Sequence, residues 1–322
     1  MSRFGKLLYK LYFQPKNQRA LVAKFGGKSN YAAMLAAEQE MKSYALYQLT
    51  IKSNFNPHGK YKINFLTGDR FLHQTLFCTY SFFKFLSPEE SMNFSVNYYS
   101  DGSLSAASAE LLKSRFPGIR VIGIAESTVA VQQDLPESLF PYLRKKIDNH
   151  PLFKKLVFPH VNHEDGFSTF FDSDMLFIRR PTIFLDWLYQ ADAQKNPAFC
   201  IQDVGRSYGY SEPEIKQIWP SSVQHNINSG MYTICENQID FSFIEKLVKA
   251  FEENFGSQYF LEQLITSILL EKTGNLFVAP KNEYIVLPGV EQITDQAGTL
   301  HHYVNESKEF YFKESWKKQL TM

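Results

Sequence analysis

GFSTFFDSDMLFIRRP, from Gly166 to Pro181, is the stretch whose reading decides the fold. Phe167, Thr169, Phe170 and Phe171 favour a pleated, buried surface. The run then meets two carboxylates, Asp172 and Asp174, before Met175, Leu176, Phe177 and Ile178 turn apolar again. An acidic pair at the end of a buried strand is costly unless a cation or hydrogen-bond donors neutralise it. In an open α/β sheet, ligands collect outside the carboxyl ends of the strands, which is where this pair falls. Hard divalent ions take oxygen ligands, and phosphate oxygens fill the positions that a protein leaves open. The stretch therefore reads as a strand that ends in an Asp-x-Asp clamp for a metal and a nucleotide diphosphate. Twelve Asp in 322 residues would produce about 0.4 such pairs by chance. The position at a strand end carries the reading, not the spelling.

Working upstream, Lys62 to Thr67 is a short apolar strand ending at Gly68-Asp69, and a helix follows through Leu72, Leu76, Phe77, Tyr80 and Phe83 to Ser87-Pro88. Phe94, Val96 and Tyr98 alternate as a second strand that ends at Ser100-Asp101-Gly102. Ala106 to Phe116 reads as a helix, Ile119 to Ile124 as a third strand, and Pro136 to His150 as another helix. Strand, helix, strand, helix, strand is the order of a parallel α/β sheet. Thr67, Gly68, Asp69 and Asp101, at two strand ends, are nucleotide-site candidates.

Before residue 59 the composition changes. Arg3, Lys6, Lys10, Lys16, Arg19, Lys24 and Lys28 precede the first acid, Glu38, while Phe4, Leu7, Leu8, Leu11 and Tyr12 share one helical face. A basic amphipathic segment can lie on an anionic membrane surface. It can equally pack on the main domain with its cations solvated, and both readings stay open. Residues 29–54 read as a further helix, with Asn56-Pro57-His58-Gly59 as the turn. This divides the chain into a basic helical extension, 1–58, and a main domain, 59–322.

Downstream, Thr182 to Gln190 reads as a helix, and Ala198 to Gln202 as a strand ending at Asp203. Residues 204–225 read as a long polar connection whose Tyr208, Tyr210 and Trp219 could meet an acceptor. Asn228-Ser229-Gly230 opens the strand that runs to Cys235; Asn can grip sugar hydroxyls, and Gly admits close backbone approach. Ser242 with Glu245 reads as a capping box, and a helix from Ser257 carries Glu262 and Gln263 in its early turns. Leu276 to Ala279 and Tyr284 to Leu287 are late strands, and His301 and His302 lie in a polar stretch that reads as surface.

Composition excludes several classes. Hydrophobic residues at 44% argue against disorder, and a net charge of +1 leaves no nucleic-acid footprint. Cys78, Cys200 and Cys235 lie far apart in apolar runs and read as thiols of a reducing compartment. With no apolar run of about 18 residues and no signal-peptide core, a cytoplasmic location is expected, with residues 1–28 able to hold the chain at the inner face of the membrane.

In this order the parts resemble the GT-A glycosyltransferases, most closely family 8, over about residues 61–320. The resemblance implies an α/β GT-A fold, Rossmann-like, with a central mixed, mostly parallel sheet flanked by helices. It implies Mn2+ or Mg2+ held by Asp172, Asp174 and His302, with Lys308, six residues after His302, on the diphosphate. Asn228 and Gly230 would contact the donor sugar, Gln263 or Glu262 would sit beside the reacting carbon, and Tyr142-Leu143-Arg144 would match an upstream Tyr-x-Arg. The implied activity is metal-dependent, retaining sugar transfer from a UDP-sugar to a glycan or lipid-linked acceptor, as in bacterial surface-glycan synthesis. The chain departs from the family's closing motif at Asn305, which replaces a glycine, and at Glu309-Phe310, which replace Pro-Trp.

Two rivals stand beside this reading. A sugar-1-phosphate nucleotidyltransferase needs a glycine-rich, basic triphosphate loop after the first strand, and Gly68-Asp69-Arg70 is too short for one. A non-catalytic sugar-nucleotide-binding module has no need of both aspartates, His302 and Lys308.

Overall fold

The computed structural model describes residues 14–51, 55–161, 166–221 and 223–321. The strands are β1 (Tyr61–Thr67), β2 (Phe94–Ser100), β3 (Arg120–Ile122), β4 (Phe167–Phe171), β5 (Met175–Phe177), β6 (Pro197–Gln202), β7 (Ile227–Cys235), β8 (Asn275–Val278), β9 (Tyr284–Val286) and β10 (Leu300–His302). Seven of them form one sheet in the order β3-β2-β1-β4-β7-β6-β8. β1 pairs parallel with β2 and β4, β2 with β3, and β6 with β8, while β7 runs antiparallel to β4 and β6. The sheet is thus mixed and mostly parallel, as expected.

A second sheet, β5-β10-β9, meets the first where β4 turns into β5. That corner is Asp172-Ser173-Asp174. It is tied on both sides: Asp172 N–H donates to Gly230 O at 2.7 Å, and Tyr303 N–H donates to Asp174 O at 2.8 Å. The phenylalanines that flank the acidic pair anchor the corner in a dry aromatic cluster. Phe82 lies 5.5 Å from Phe171 and 5.0 Å from Phe177 between ring centroids, edge to face, an arrangement that adds about 0.5–1.5 kcal/mol per pair beyond burial.

Several expectations change in detail. The helix predicted over Pro136 to His150 is confined to Pro141–Asn149, and a separate helix, Ile124–Asp134, precedes it. The capping box at Ser242 is not formed. Asp240 caps the helix Phe241–Phe255 by accepting from Phe243 N–H, while Glu245, buried, accepts from the backbone N–H groups of Tyr142 and Leu143. Its charge thus sits at another helix's N-terminus, where the dipole favours an anion. Residues 204–225 contain a helix, Glu212–Ile218, and their tyrosines face inward. Tyr208 donates its hydroxyl to His225 O, and Tyr210 to Gly256 O.

Before β1, the described residues pack on the domain from Phe25 onward. The helix Lys28–Tyr47 buries Met34, Met41 and Ala45 in the same core as β1. Phe55, just before the expected boundary, stacks edge-on against Phe83 at 4.6 Å. Of the basic amphipathic segment, Phe4, Leu7, Leu8, Leu11 and Tyr12 lie outside the described residues. No described helix is long and apolar enough to cross a membrane. Cys78 and Cys200 are buried and Cys235 is half-buried, and none of the three is in a disulfide.

Candidate active site

Four chain-remote pieces converge on the Asp172–Asp174 corner: the start of β7, the first turn of the helix Leu261–Lys272, the end of β10 with the residues after it, and the helix Pro151–Val157. One ligand atom from each of Asp172, Asp174 and His302 can be chosen so that all lie within 4.8 Å of one another. His302 Nε2 is 3.1 Å from Asp174 Oδ1 and 3.8 Å from Asp172 Oδ2. Two carboxylates and one imidazole suit a hard or borderline divalent ion such as Mn2+ or Mg2+, so the residues present fit the expected metal.

Gly230 is demanded by this convergence. A Cβ there would stand 2.5 Å from His302 Cε1 and 2.7 Å from Asn228 Oδ1, closer than carbon contacts allow. Its N–H is held by Asn228 Oδ1 at 2.9 Å. Asn305 supplies a second backbone requirement. Its φ is +52°, the left-handed region that Asn tolerates better than other non-glycine residues, so Asn at the position where the resembled motif has glycine suits the turn.

Lys308 Nζ lies 2.8 Å from Asp174 Oδ2. Burial by itself would raise the Asp174 pKa, but the Lys308 and His302 charges outweigh it and hold that carboxyl well below the usual range. A second cation, Lys155, carries no local signal in the sequence. Only 4% exposed, its Nζ lies 3.7 Å from Asp172, 3.5 Å from Glu262, and 2.9 Å from Ser229 Oγ. Burial alone would depress its pKa, yet the carboxylates of Asp172 and Glu262 prevail and keep it above the ordinary lysine value. Arg144, the cation picked out by the Tyr-x-Arg match, lies elsewhere. Its guanidinium donates to the carbonyls of Val131 and Leu135 at 3.3 and 3.2 Å, closing the end of the helix Ile124–Asp134. Nothing local separates Lys155 from its neighbour Lys154, because a helix of seven residues is too short for a periodicity to declare which face is buried.

Glu262 and Gln263 enter on consecutive helical positions and do different things. Glu262 is fully buried, and its two oxygens accept from Ser229 Oγ at 3.1 Å and Thr266 Oγ1 at 3.0 Å. Desolvation raises its pKa despite Lys155. Gln263 donates through Nε2 to Asp203 Oδ2 at 3.1 Å and to Ser207 O at 2.9 Å. Asp203, visible in the sequence only as a strand end, thus joins the site and orients that amide.

These groups line a cavity of about 330 Å3. Lys155, Asp172, Asn228, Gly230, Gln263 and His302 give it a polar wall; exposed Val204, Tyr259 and Phe260 give it an apolar one. Thr67, Gly68, Asp69 and Asp101 lie outside this lining. Thr67 Oγ1 is 2.7 Å from Thr75 Oγ1, which is 2.8 Å from Ser173 Oγ in the acidic corner. Asp69 accepts from Ser105 N–H at 2.9 Å, Asp101 accepts from Ser103 N–H at 2.7 Å, and Lys154 Nζ donates to Asp101 O at 2.6 Å. Their side chains shape loops at the strand ends.

His301 and His302 are both buried in β10, which overturns the surface reading. His301 Nε2 donates to Ala297 O at 2.6 Å, and its Nδ1 is 3.2 Å from Tyr303 Oη. Alternate strand residues point to opposite faces, so one imidazole joins the core and the other the acidic pair.

No protein-family model matches the chain, and no curated protein matches its sequence. In fold it is similar to mouse xyloside xylosyltransferase 1 in the apo form, with 11% identity, a TM-score of 0.51, and coverage of 75% of this chain and 96% of that one. It is similar to the galactosyltransferase LgtC in complex with donor and acceptor sugar analogues, with 11% identity, a TM-score of 0.50, and coverage of 81% of this chain and 96% of that one. The bifunctional glycosyltransferase WbbM matches with 12% identity and a TM-score of 0.50 over 84% of this chain and 51% of its own. The likeness is one of fold: the chain has the α/β architecture of the GT-A glycosyltransferases.

Proposed function

We propose that this chain is a metal-dependent glycosyltransferase of the family 8 type, moving a sugar from a UDP-sugar to a hydroxyl acceptor with retention of configuration. The observation that carries the reading is the gathering of Asp172, Asp174 and His302 ligand atoms within 4.8 Å, two of them, Asp172 and His302, on a cavity also lined by Asn228 and Gln263. Mn2+ or Mg2+ held by Asp172, Asp174 and His302 would supply a Lewis acid that neutralises the diphosphate leaving group. Lys308 and Lys155 offer fixed positive charge to the same phosphate oxygens. Asn228 and the Gly230 backbone face the donor sugar. Gln263, oriented by Asp203, turns a neutral amide toward the reacting carbon. Glu262 is a poor candidate for a covalent nucleophile, since its oxygens are engaged by Ser229 and Thr266; that favours front-face attack by the acceptor hydroxyl.

The apolar wall of Val204, Tyr259 and Phe260 supports a pyranose or lipid-linked acceptor, because aromatic rings stack on the apolar face of a sugar. Surface-glycan synthesis at the cytoplasmic face of a membrane suits such an acceptor and the basic residues 1–28. Each lysine or arginine near anionic lipid contributes about 1 kcal/mol. Lys6→Gln/Lys10→Gln protein that sediments with phosphatidylglycerol vesicles as well as the parent would remove that part of the reading.

Incubation with UDP-glucose or UDP-galactose and manganese tests the whole. Release of UDP that stops on chelation is expected, and the sugar product should appear first in the donor's anomeric form by NMR. No UDP release with either donor, together with no UDP–manganese binding, sinks the assignment. Release with inverted product keeps the transferase and removes family 8.

A further inference from the structure

The helices Gln14–Lys24 and Lys28–Tyr47 precede β1 and contribute nothing to the cavity lining. They nevertheless hold the segment that leads out of it. Lys24 Nζ donates to Asn305 Oδ1 at 3.1 Å and pairs with the Glu306 carboxylate at 3.2 Å. Asn30 Nδ2 donates to Glu309 Oε1 at 2.7 Å, and Asn30 Oδ1 accepts from Lys313 Nζ at 2.5 Å. Lys313 closes the triangle on Glu309 at 2.8 Å. Farther on, Tyr44 packs against Trp316 with 5.5 Å between ring centroids, and Lys317 pairs with Glu40 at 2.7 Å.

These grips alternate along the chain with the site's own contacts. His302 and Asn305 line the cavity, and Asn305 is the residue that Lys24 touches. Lys308 reaches Asp174 at 2.8 Å, and its neighbour Glu309 is the residue that Asn30 touches. The turn at Asn305 is a left-handed one, with φ at +52°, a conformation that a free chain seldom holds. A loose segment would have to be ordered each time a ligand bound, at about 1–2 kcal/mol per residue.

We propose that Lys24 and Asn30 are positioning residues, which hold residues 304–310 in their diphosphate-binding shape before any ligand arrives. The inference rests on the donor-site reading above. It assigns the N-terminal helices a part in nucleotide affinity although they touch no nucleotide. When the competent shape is only partly populated, apparent affinity falls by that fraction.

Calorimetric titration of UDP with manganese into the parent protein, Asn30→Ala and Lys24→Met/Asn30→Ala tests it. The double variant should bind about 10-fold more weakly, with Asn30→Ala between it and the parent. Lys24→Arg, which keeps the charge and the donors, should bind like the parent. Turnover of UDP-sugar should show a raised donor KM with kcat at saturating donor unchanged, a split that general loss of folded protein does not produce. Parent and double variant binding UDP–manganese equally would overturn the clasp and leave the donor site standing. A parent protein that does not bind UDP–manganese at all would overturn both.

Discussion

Lys155→Met removes a buried cation from between two carboxylates while keeping most of the side chain's length. At 3.7 Å from Asp172 and 3.5 Å from Glu262, each pair carries a gross attraction of about 4–5 kcal/mol at an effective dielectric of about 20. Desolvation of the three groups offsets much of that in the intact protein. Taking away only the cation is different, because Glu262 is left fully buried and Asp172 half-buried without it, and such changes cost about 3–5 kcal/mol. Glu262, already raised in pKa by burial, then rises further above its unfolded value. The deficit is therefore full at high pH and shrinks as pH falls through the folded pKa of Glu262 and that group takes a proton. Urea unfolding at pH 7.5 and 5.5 measures it. Lys155→Met should lose about 3–5 kcal/mol at the higher pH and less at the lower, and Lys155→Met/Glu262→Gln should recover a large part. Manganese without nucleotide should bind the single variant more tightly, since a competing ammonium beside Asp172 is gone. A single variant within about 0.5 kcal/mol of the parent at pH 7.5, inside the scatter of surface changes, would refute the reasoning.

Asp174→Asn keeps the side-chain volume and removes the charge shared by His302 and Lys308. Manganese affinity by calorimetry should fall by more than the roughly 10–100-fold that outer-shell changes cost, with UDP release lost and the circular dichroism spectrum unchanged. His302→Ala should weaken manganese binding far more than it lowers the unfolding midpoint, which still falls because a buried imidazole bonded to Asp174 is lost. His301→Ala should do the reverse, losing about 2–3 kcal/mol of stability through two broken buried hydrogen bonds with manganese affinity kept. Burial lowers the pKa of His301 from 6.5 to about 4 and that of His73 from 6.5 to about 3. Their stabilisation is complete above pH 6.5 and erodes as pH falls below it, because the unfolded chain takes protons first. Each contributes up to about 1.4 kcal/mol per pH unit; a urea midpoint that stays flat from pH 6.5 to 5 would contradict their neutral burial.

The strand and helix order around β1, β2 and β4 was legible because period 2 and period 3.6 patterns are local. Each reports which face of its own element is apolar, and that is enough to put Asp172 and Asp174 at a strand end. The turn at Asn56 to Gly59 was legible as a local backbone pattern, whereas the need for glycine at 230 comes from the approach of His302, far along the chain. Lys155 was not legible, because its role is set by three partners that lie 17, 74 and 107 positions away along the chain (Asp172, Ser229 and Glu262). A short helix presents Lys154 and Lys155 alike until the sheet fixes which of them is enclosed. By composition His301 and His302 read as a polar surface pair, and the resembled motif's spacing to Lys308 singled out His302 as a ligand; the burial of both comes from the docking of β10 between β5 and β9, which sends one into the core and the other toward the acids. The basic N-terminal segment carried no sign of Asn30 or Lys24 as tail contacts, since their partners, Glu309 and Asn305, come at the far end of the chain. Local pattern determined the elements and the acidic corner. Which charges meet there was decided by packing, since the free energy of a buried ion pair depends on distances and desolvation that exist only once distant segments have closed around it.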